Sequence, residues 1–339
     1  MSIGNNLKRY RILNNLSLRK VGDELGFSHT LISKYEKDTI VPDSEKLIKF
    51  ADLYNVNISD LLKIYKMPDV KLNNFRKFKS LSGRKLEMLK EIIKIEIAKY
   101  LEVLHLSNYD SILKINKIEV NNIDDAEVAS DLLRKQLNLS SKQPIPNLID
   151  ALENAGIFII QVDIPESLSK FDGASEIVED KPFIIIKKNQ HDGGRMRFTL
   201  AHELAHLFLS INAADKDIEK ICDRFASSFL LSKENMVREF SNKRKNISYE
   251  EIDNVKKEYK VSHGAIVYRL IDLNIISESN AKGWYIYFNK KYGKKDPEAI
   301  PPEESSLYEN LVYRLKTENI ISSSKARELL HEKWDNINS

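Results

Sequence analysis

Apolar positions recur at helical spacing along most of this chain and switch to strand-like runs only between residues 157 and 189. Residues 2–62 parse into short helices separated by capping signals. Ile3, Leu7, Tyr10 and Leu13 mark the first. Ser17 caps a second, Leu18–Leu25, which Gly26 ends, and Ser28 caps a third, His29–Lys37. Asp43 begins a fourth, and Ser59-Asp60 introduces a short fifth. Val21, Leu25, Leu31, Ile32, Tyr35, Leu47, Phe50, Ala51, Leu53, Val56, Ile58, Leu61 and Leu62 are expected to fill one small core.

A helical connector over about 80–106 leads into a different pattern. DDAEVASDLLRKQLNL reads as a helix with Ala126, Ala129, Leu132, Leu133 and Leu137 inward, and IPNLIDALENAG as another, closed by Gly156. The runs IFIIQVDI (157–164), GASEIV (173–178) and PFIIIKKN (182–189) are extended, and the turn residues between the last two predict a small antiparallel sheet. RFTLAHELAHLFL (197–209) returns to helix. In DKDIEKICDRFASSFLL (215–231), Ile218, Ile221, Cys222, Phe225, Ala226, Phe229 and Leu230 form an uninterrupted helical stripe. Behind these lie an aromatic cluster (Trp284, Tyr285, Tyr287, Phe288), a Lys/Pro-rich connector and two more helices, the last capped by Ser322 or Ser323. The expectation is an α+β multidomain protein: an all-α domain at 1–66, a basic connector at 67–118, a domain with the small sheet at 119–275, and a helical tail at 276–339.

Composition changes this picture little; charge changes it more. At 42% hydrophobic and 30% charged, the 339 residues are those of an ordinary cored protein. No apolar run approaches the length that spans a bilayer, and the N-terminal segment lacks an apolar signal core. The single cysteine, Cys222, excludes an intrachain disulfide framework and fits a reducing cytoplasm. Residues 1–115 carry 21 Lys and Arg against 14 Asp and Glu, whereas residues 116–339 carry 32 against 36. The run at 71–90 is the most basic. A polyanionic partner is therefore expected for the front of the chain alone.

The chemistry concentrates in HELAH. On a helix, positions i and i+4 share a face, so His202 and His206 point the same way, near enough to grip one ion. Glu203 projects about 100° further round, beside that ion without being a ligand. Two histidines are insufficient, and the helix at 215–231 supplies Glu219 and Asp223 at the border of its apolar stripe. Glu219 is assigned as third ligand and Asp223 as the acceptor that orients a ligand imidazole. Two nitrogens and one carboxylate favour Zn²⁺, with Glu203 taking a proton from water as general base. Cys222 lies in the core stripe, so packing outweighs a ligand role. His263 reads as a helix-cap residue rather than an electrophile, and His191 as a loop residue. His29, His105 and His331 show no convergent ligand spacing. Arg195 and Arg197 either brace the helix or hold a substrate carbonyl.

Two family resemblances carry these readings further. LRKVGDELGFSHTLISKYEKDTIVPDSEKLIKFADLYNVNISDLL resembles the Xre/Cro-type helix-turn-helix family, with Leu18 standing where many relatives have Gln. The resemblance implies binding of double-stranded DNA, with Ser28, His29, Thr30, Ser33 and Lys34 at the end of the helix that enters the major groove. RMRFTLAHELAHLFL with EKICDRFASSFLL is similar to the ImmA/IrrE-like zinc metallopeptidases, over about residues 120–275; Cys222 replaces the small Ala usual there. That resemblance implies a zincin-like fold and site-specific cleavage of a protein, a DNA-bound repressor or similar regulator. The competing expectation is a non-proteolytic regulator or antitoxin that keeps the zincin-like domain as a sensor or docking module. Docking or homodimerisation is assigned to the aromatic segment.

Overall fold

The computed structural model describes residues 2–63, 67–68, 70, 83–111, 113–114, 116–140, 142–188, 192–293 and 299–330. Most of the basic run at 71–90, together with His191 and His331, lies outside them. The chain divides into two compact units, Met1–Ser107 with Pro165–Phe171, and Asn108–Ile164 with Asp172–Ser339.

In the first unit, α1 (Ile3–Leu13), α2 (Leu18–Leu25), α3 (His29–Glu36), α4 (Ser44–Tyr54) and α5 (Ile58–Leu62) follow the capping signals closely. Ser17, Ser28 and Asp43 each accept a backbone N–H two or three residues into their helices, and Gly26 ends α2 at φ +72°. The start of α5 differs from expectation. Asn57 is the cap and Asp60 returns the bond, a capping box that the acidic Asp60 only half revealed. Leu7, Val21, Ile32, Tyr35, Phe50, Ala51, Tyr54 and Leu61 form the core, whereas Ile58 and Leu62 point outward. A five-residue helix buries one side, and Leu61 takes it. Arg11 grips Glu36 through two hydrogen bonds of 2.6 and 2.9 Å, tying α1 to the end of α3. The long helix α6 (Gly83–Leu106) belongs to this unit and buries Leu89, Ile93, Ile97 and Leu104 on one face.

The second unit is built around β2 (Phe158–Val162), β3 (Gly173–Val178) and β4 (Lys181–Lys187), in the spatial order β2-β4-β3. Glu179 and Asp180, both at positive φ, make the two-residue turn that joins β3 to β4 antiparallel. The α+β class is as expected, but the sheet is mixed, because β2 runs parallel to β4. Strand periodicity carries no information on direction. The unbroken apolar run Pro182–Ile186 is nonetheless that of a strand with both faces covered, and β4 is the central strand. Two short strands, β1 (Ile118–Val120) and β5 (Leu209–Ile211), pair parallel.

Around the sheet pack α7 (Asp125–Gln136), α8 (Leu148–Asn154), α9 (Gly193–Phe208), α10 (Asp215–Leu230), α11 (Lys233–Phe240), α12 (Tyr249–Tyr259) and α13 (His263–Asp272). Ala126, Ala129, Leu133 and Leu137 of the first of these face inward, while Leu132 is 42% exposed. Tail helices α14 (Glu278–Tyr292), α15 (Leu307–Thr317) and α16 (Ser323–Leu329, capped by Ser322) complete the unit. No helix among the described residues is long and apolar enough to cross a membrane.

Candidate metal centre and helix-turn-helix face

Helix α9 crosses the sheet and is held tightly at its start. Asp192 caps it by accepting from Gly194 N–H at 2.9 Å. Gly193 N–H donates to the Ile300 carbonyl at 2.8 Å, and a Cβ at Gly193 would lie 2.3 Å from the Pro301 oxygen, so only glycine fits there. Helix α10 packs alongside and presents its acidic border to the histidines.

His202 and His206 stand four residues apart with Nε2 atoms 3.2 Å from one another. Glu219 approaches both, Oε2 at 3.3 Å from His202 Nε2 and Oε1 at 3.6 Å from His206 Nε2. The other ring nitrogens face elsewhere. Nδ1 of His202 is 2.8 Å from Asp223 Oδ1, and Nδ1 of His206 is 3.7 Å from Cys222 Sγ. With Nδ1–H donating to the carboxylate and to the sulfur, two Nε2 lone pairs and a carboxylate converge on one point. Such an arrangement repels itself unless a cation lies at its centre. Tetrahedral coordination at ~2.0–2.1 Å sets donor–donor edges of about 3.3–3.4 Å, and the three separations bracket that value. These residues fit a divalent metal.

Cys222 is close enough to count with the two histidines as a donor group, their ligand atoms all within 4.8 Å of one another. Its contact, however, is with Nδ1 of His206, while both Nε2 atoms meet Glu219. The carboxylate is therefore the better-placed third donor.

Glu203 is 1% exposed, and its Oε2 accepts a 2.9 Å hydrogen bond from the buried Ser175 Oγ on β3. Gly173, two residues earlier on the same strand face, leaves the space into which α9 packs; a Cβ there would lie 2.7 Å from Thr199 Cγ2 and 3.3 Å from Glu203 Cγ. Nothing in the sequence said that the face of β3 carrying Gly173 and Ser175 meets Glu203. β4, which spans most of the extended run expected at 182–189, is interior, between β2 and β3. The sheet's edge beside α9 is β3, which pairs only with β4 among the described residues. Lys187 N–H bonds the Asp172 carbonyl, so Gly173, Ser175 and Ile177 turn their backbone polar groups away from β4.

The remaining candidates are accounted for differently. Arg197 is a brace: buried, it pairs with Glu303 and donates to the Ile145 carbonyl at 2.7 Å. Arg195 is exposed and bonds both oxygens of Asp172. His263 is not the cap of α13, since Ser262 fills that role by accepting from Ala265 N–H. Its ring stacks on Phe288 and its Nε2 lies 3.0 Å from Asp253, inside the expected aromatic patch. His29 is on α3 and His105 lies in the last turn of α6. In the first unit, Ser28, His29, Thr30 and Lys34 are exposed and Ser33 half-buried, all on α3 or its cap. Ser28 also holds Leu31 N–H.

Two segments of the chain match known families. Residues 4–66 match a helix-turn-helix domain family, and residues 152–271 match the IrrE N-terminal-like domain of a peptidase family. The chain thus carries one segment similar to a helix-turn-helix domain and another similar to an IrrE-like peptidase domain. Over 62 residues it is 34% identical to the HTH-type transcriptional regulator ImmR of Bacillus subtilis (strain 168), a match covering 18% of this chain and 49% of that protein. The chain thus spans about half the length of this curated relative.

Proposed function

We propose that the protein is a DNA-binding, zinc-dependent endopeptidase that regulates transcription by cleaving a regulatory protein, a DNA-bound repressor or one like it. The observation that carries the proposal is the convergence of His202 Nε2, His206 Nε2 and Glu219 beside a buried, hydrogen-bonded Glu203. His202, His206 and Glu219 would hold the metal, with Asp223 orienting His202. A zinc ion held there would supply Lewis acidity and would bring the pKa of water down towards ~7. Glu203 takes the proton of the attacking water and returns it to the leaving amine. Ser175 holds the carboxylate in one orientation while it does so. An extended substrate adds along the outward backbone groups of Gly173, Ser175 and Ile177.

In the other unit, the exposed end of α3 carries short hydrogen-bonding groups and one cation, the equipment for base edges and phosphates in a major groove. Joining the two activities in one chain raises the concentration of the peptidase near a substrate that is itself on DNA.

The full-length protein and its Glu203→Gln variant are compared for zinc content and for cleavage of regulators encoded beside its own gene, with and without chelator. The variant keeps its zinc and loses about 10²–10⁴ in rate. Undiminished cleavage by the variant, or stable binding of those regulators with no cleavage by the wild type, refutes the peptidase reading.

A further inference from the structure

The two ligand imidazoles have unequal outer partners. His202 Nδ1 faces a carboxylate at 2.8 Å, and His206 Nδ1 faces the Cys222 sulfur at 3.7 Å. A metal-bound imidazole is fixed in tautomer and rotation by what its second nitrogen donates to, and carboxylate, carbonyl or water is the usual acceptor. We infer that Cys222 is a positioning residue for His206, its sulfur accepting the Nδ1–H and holding the ring with Nε2 turned toward Glu219. The inference rests on the metal reading above and concerns how firmly the site grips its ion.

Three observations support it beyond contact. Cys222 is fully buried on α10, three residues after Glu219 and directly before Asp223, so one helical turn delivers the third donor and both outer acceptors. Its thiol lies where α10 packs against α9, so the 3.7 Å approach is made inside a helix–helix interface. Ile221, Phe225 and Ala226 of the same stripe carry no polar side-chain atom, so among these four side chains Cys222 alone can accept a hydrogen bond. Sulfur accepts weakly. His206 is accordingly the more loosely held ligand, and the site's affinity is set below what two carboxylate partners would give.

Zinc dissociation constants are measured by competition with a chromogenic chelator for the full chain and for Cys222→Ala and Cys222→Ser, alongside thermal unfolding. Alanine removes the acceptor, and zinc affinity falls about 3–10-fold, less than the ~10–100-fold typical of stronger outer partners. Serine restores an acceptor and recovers most of that loss, although a buried hydroxyl makes it the less stable variant. A pure packing role reverses the order, with alanine binding zinc at least as well as serine; that result overturns the inference, as does an affinity unchanged in both. Failure of the wild type itself to bind zinc overturns instead the metal reading beneath it.

Discussion

At the scale of residues, the proposed metal site assigns some groups to hold the ion and others to aim its ligands. Glu219 is nearly half exposed and meets both Nε2 atoms, whereas Asp223, equally exposed, meets only the far side of His202. Replacing Glu219 with alanine therefore removes a donor, and the purified variant should lose stoichiometric zinc. Asp223→Asn removes only charge from an orienting acceptor, and zinc affinity should fall roughly 10–100-fold with stoichiometry preserved. Metal analysis after dialysis against a weak chelator distinguishes the two; equal zinc in the alanine variant and the wild type refutes the assignment of Glu219. Both acids were legible, because they fall four apart at the border of a regular apolar stripe. Ser175 was not. It lies 28 positions from Glu203, and only the packing of β3 against α9 joins them.

At the scale of elements, caps explain why the helices begin where they do, and most were readable as Ser, Asn or Asp ahead of an apolar run. Two were unreadable because they are made in trans. Glu303 Oε2 accepts from Leu148 and Ile149 N–H at the start of α8. At the other end of α8, Glu153 accepts from Ser305 Oγ and from the backbone of Leu307 and Ser306 at the start of α15, whose own cap residue Ser306 makes no side-chain capping bond among the described residues. Burial pushes the Glu153 carboxyl up to about 7, against these hydrogen bonds, which favour the charged form. A carboxyl with a raised folded pKa keeps its proton in the native state after the unfolded chain has released it. Stability is therefore lost as pH rises between about 4.5 and about 7. Glu153→Gln should flatten that slope, leaving a variant more stable than wild type by about 1–3 kcal/mol at pH 8 and little different at pH 4.5. Unfolding midpoints at pH 4.5, 6 and 8 measure it, and parallel slopes in the two proteins contradict it.

At the scale of the molecule, the second unit is not closed by the segment that matches the peptidase family. Residues 300–305 return from the tail and are stitched to α9 through Gly193 and Arg197, to both ends of α8, and to β2 through Gln161, which bonds Glu303 O and Ser305 N. The sequence showed the tail as a Lys/Pro-rich connector. It could not show that Glu303, 106 positions from Arg197, supplies the acid for a cation buried in the helix that carries His202. Arg197 is 1% exposed, and its Nε has no hydrogen-bond partner among the described residues, so it depends heavily on that carboxylate. Glu303→Ala leaves a buried charge without its acid and two helix-start N–H groups without their acceptor. Its expected cost is about 3–5 kcal/mol, read as a shift in the urea midpoint of the second unit. Arg197→Met combined with Glu303→Ala should cost less than Glu303→Ala alone, because the second change removes the stranded charge. If the two costs simply add, the pair is no pair, and the tail is held by its backbone contacts instead.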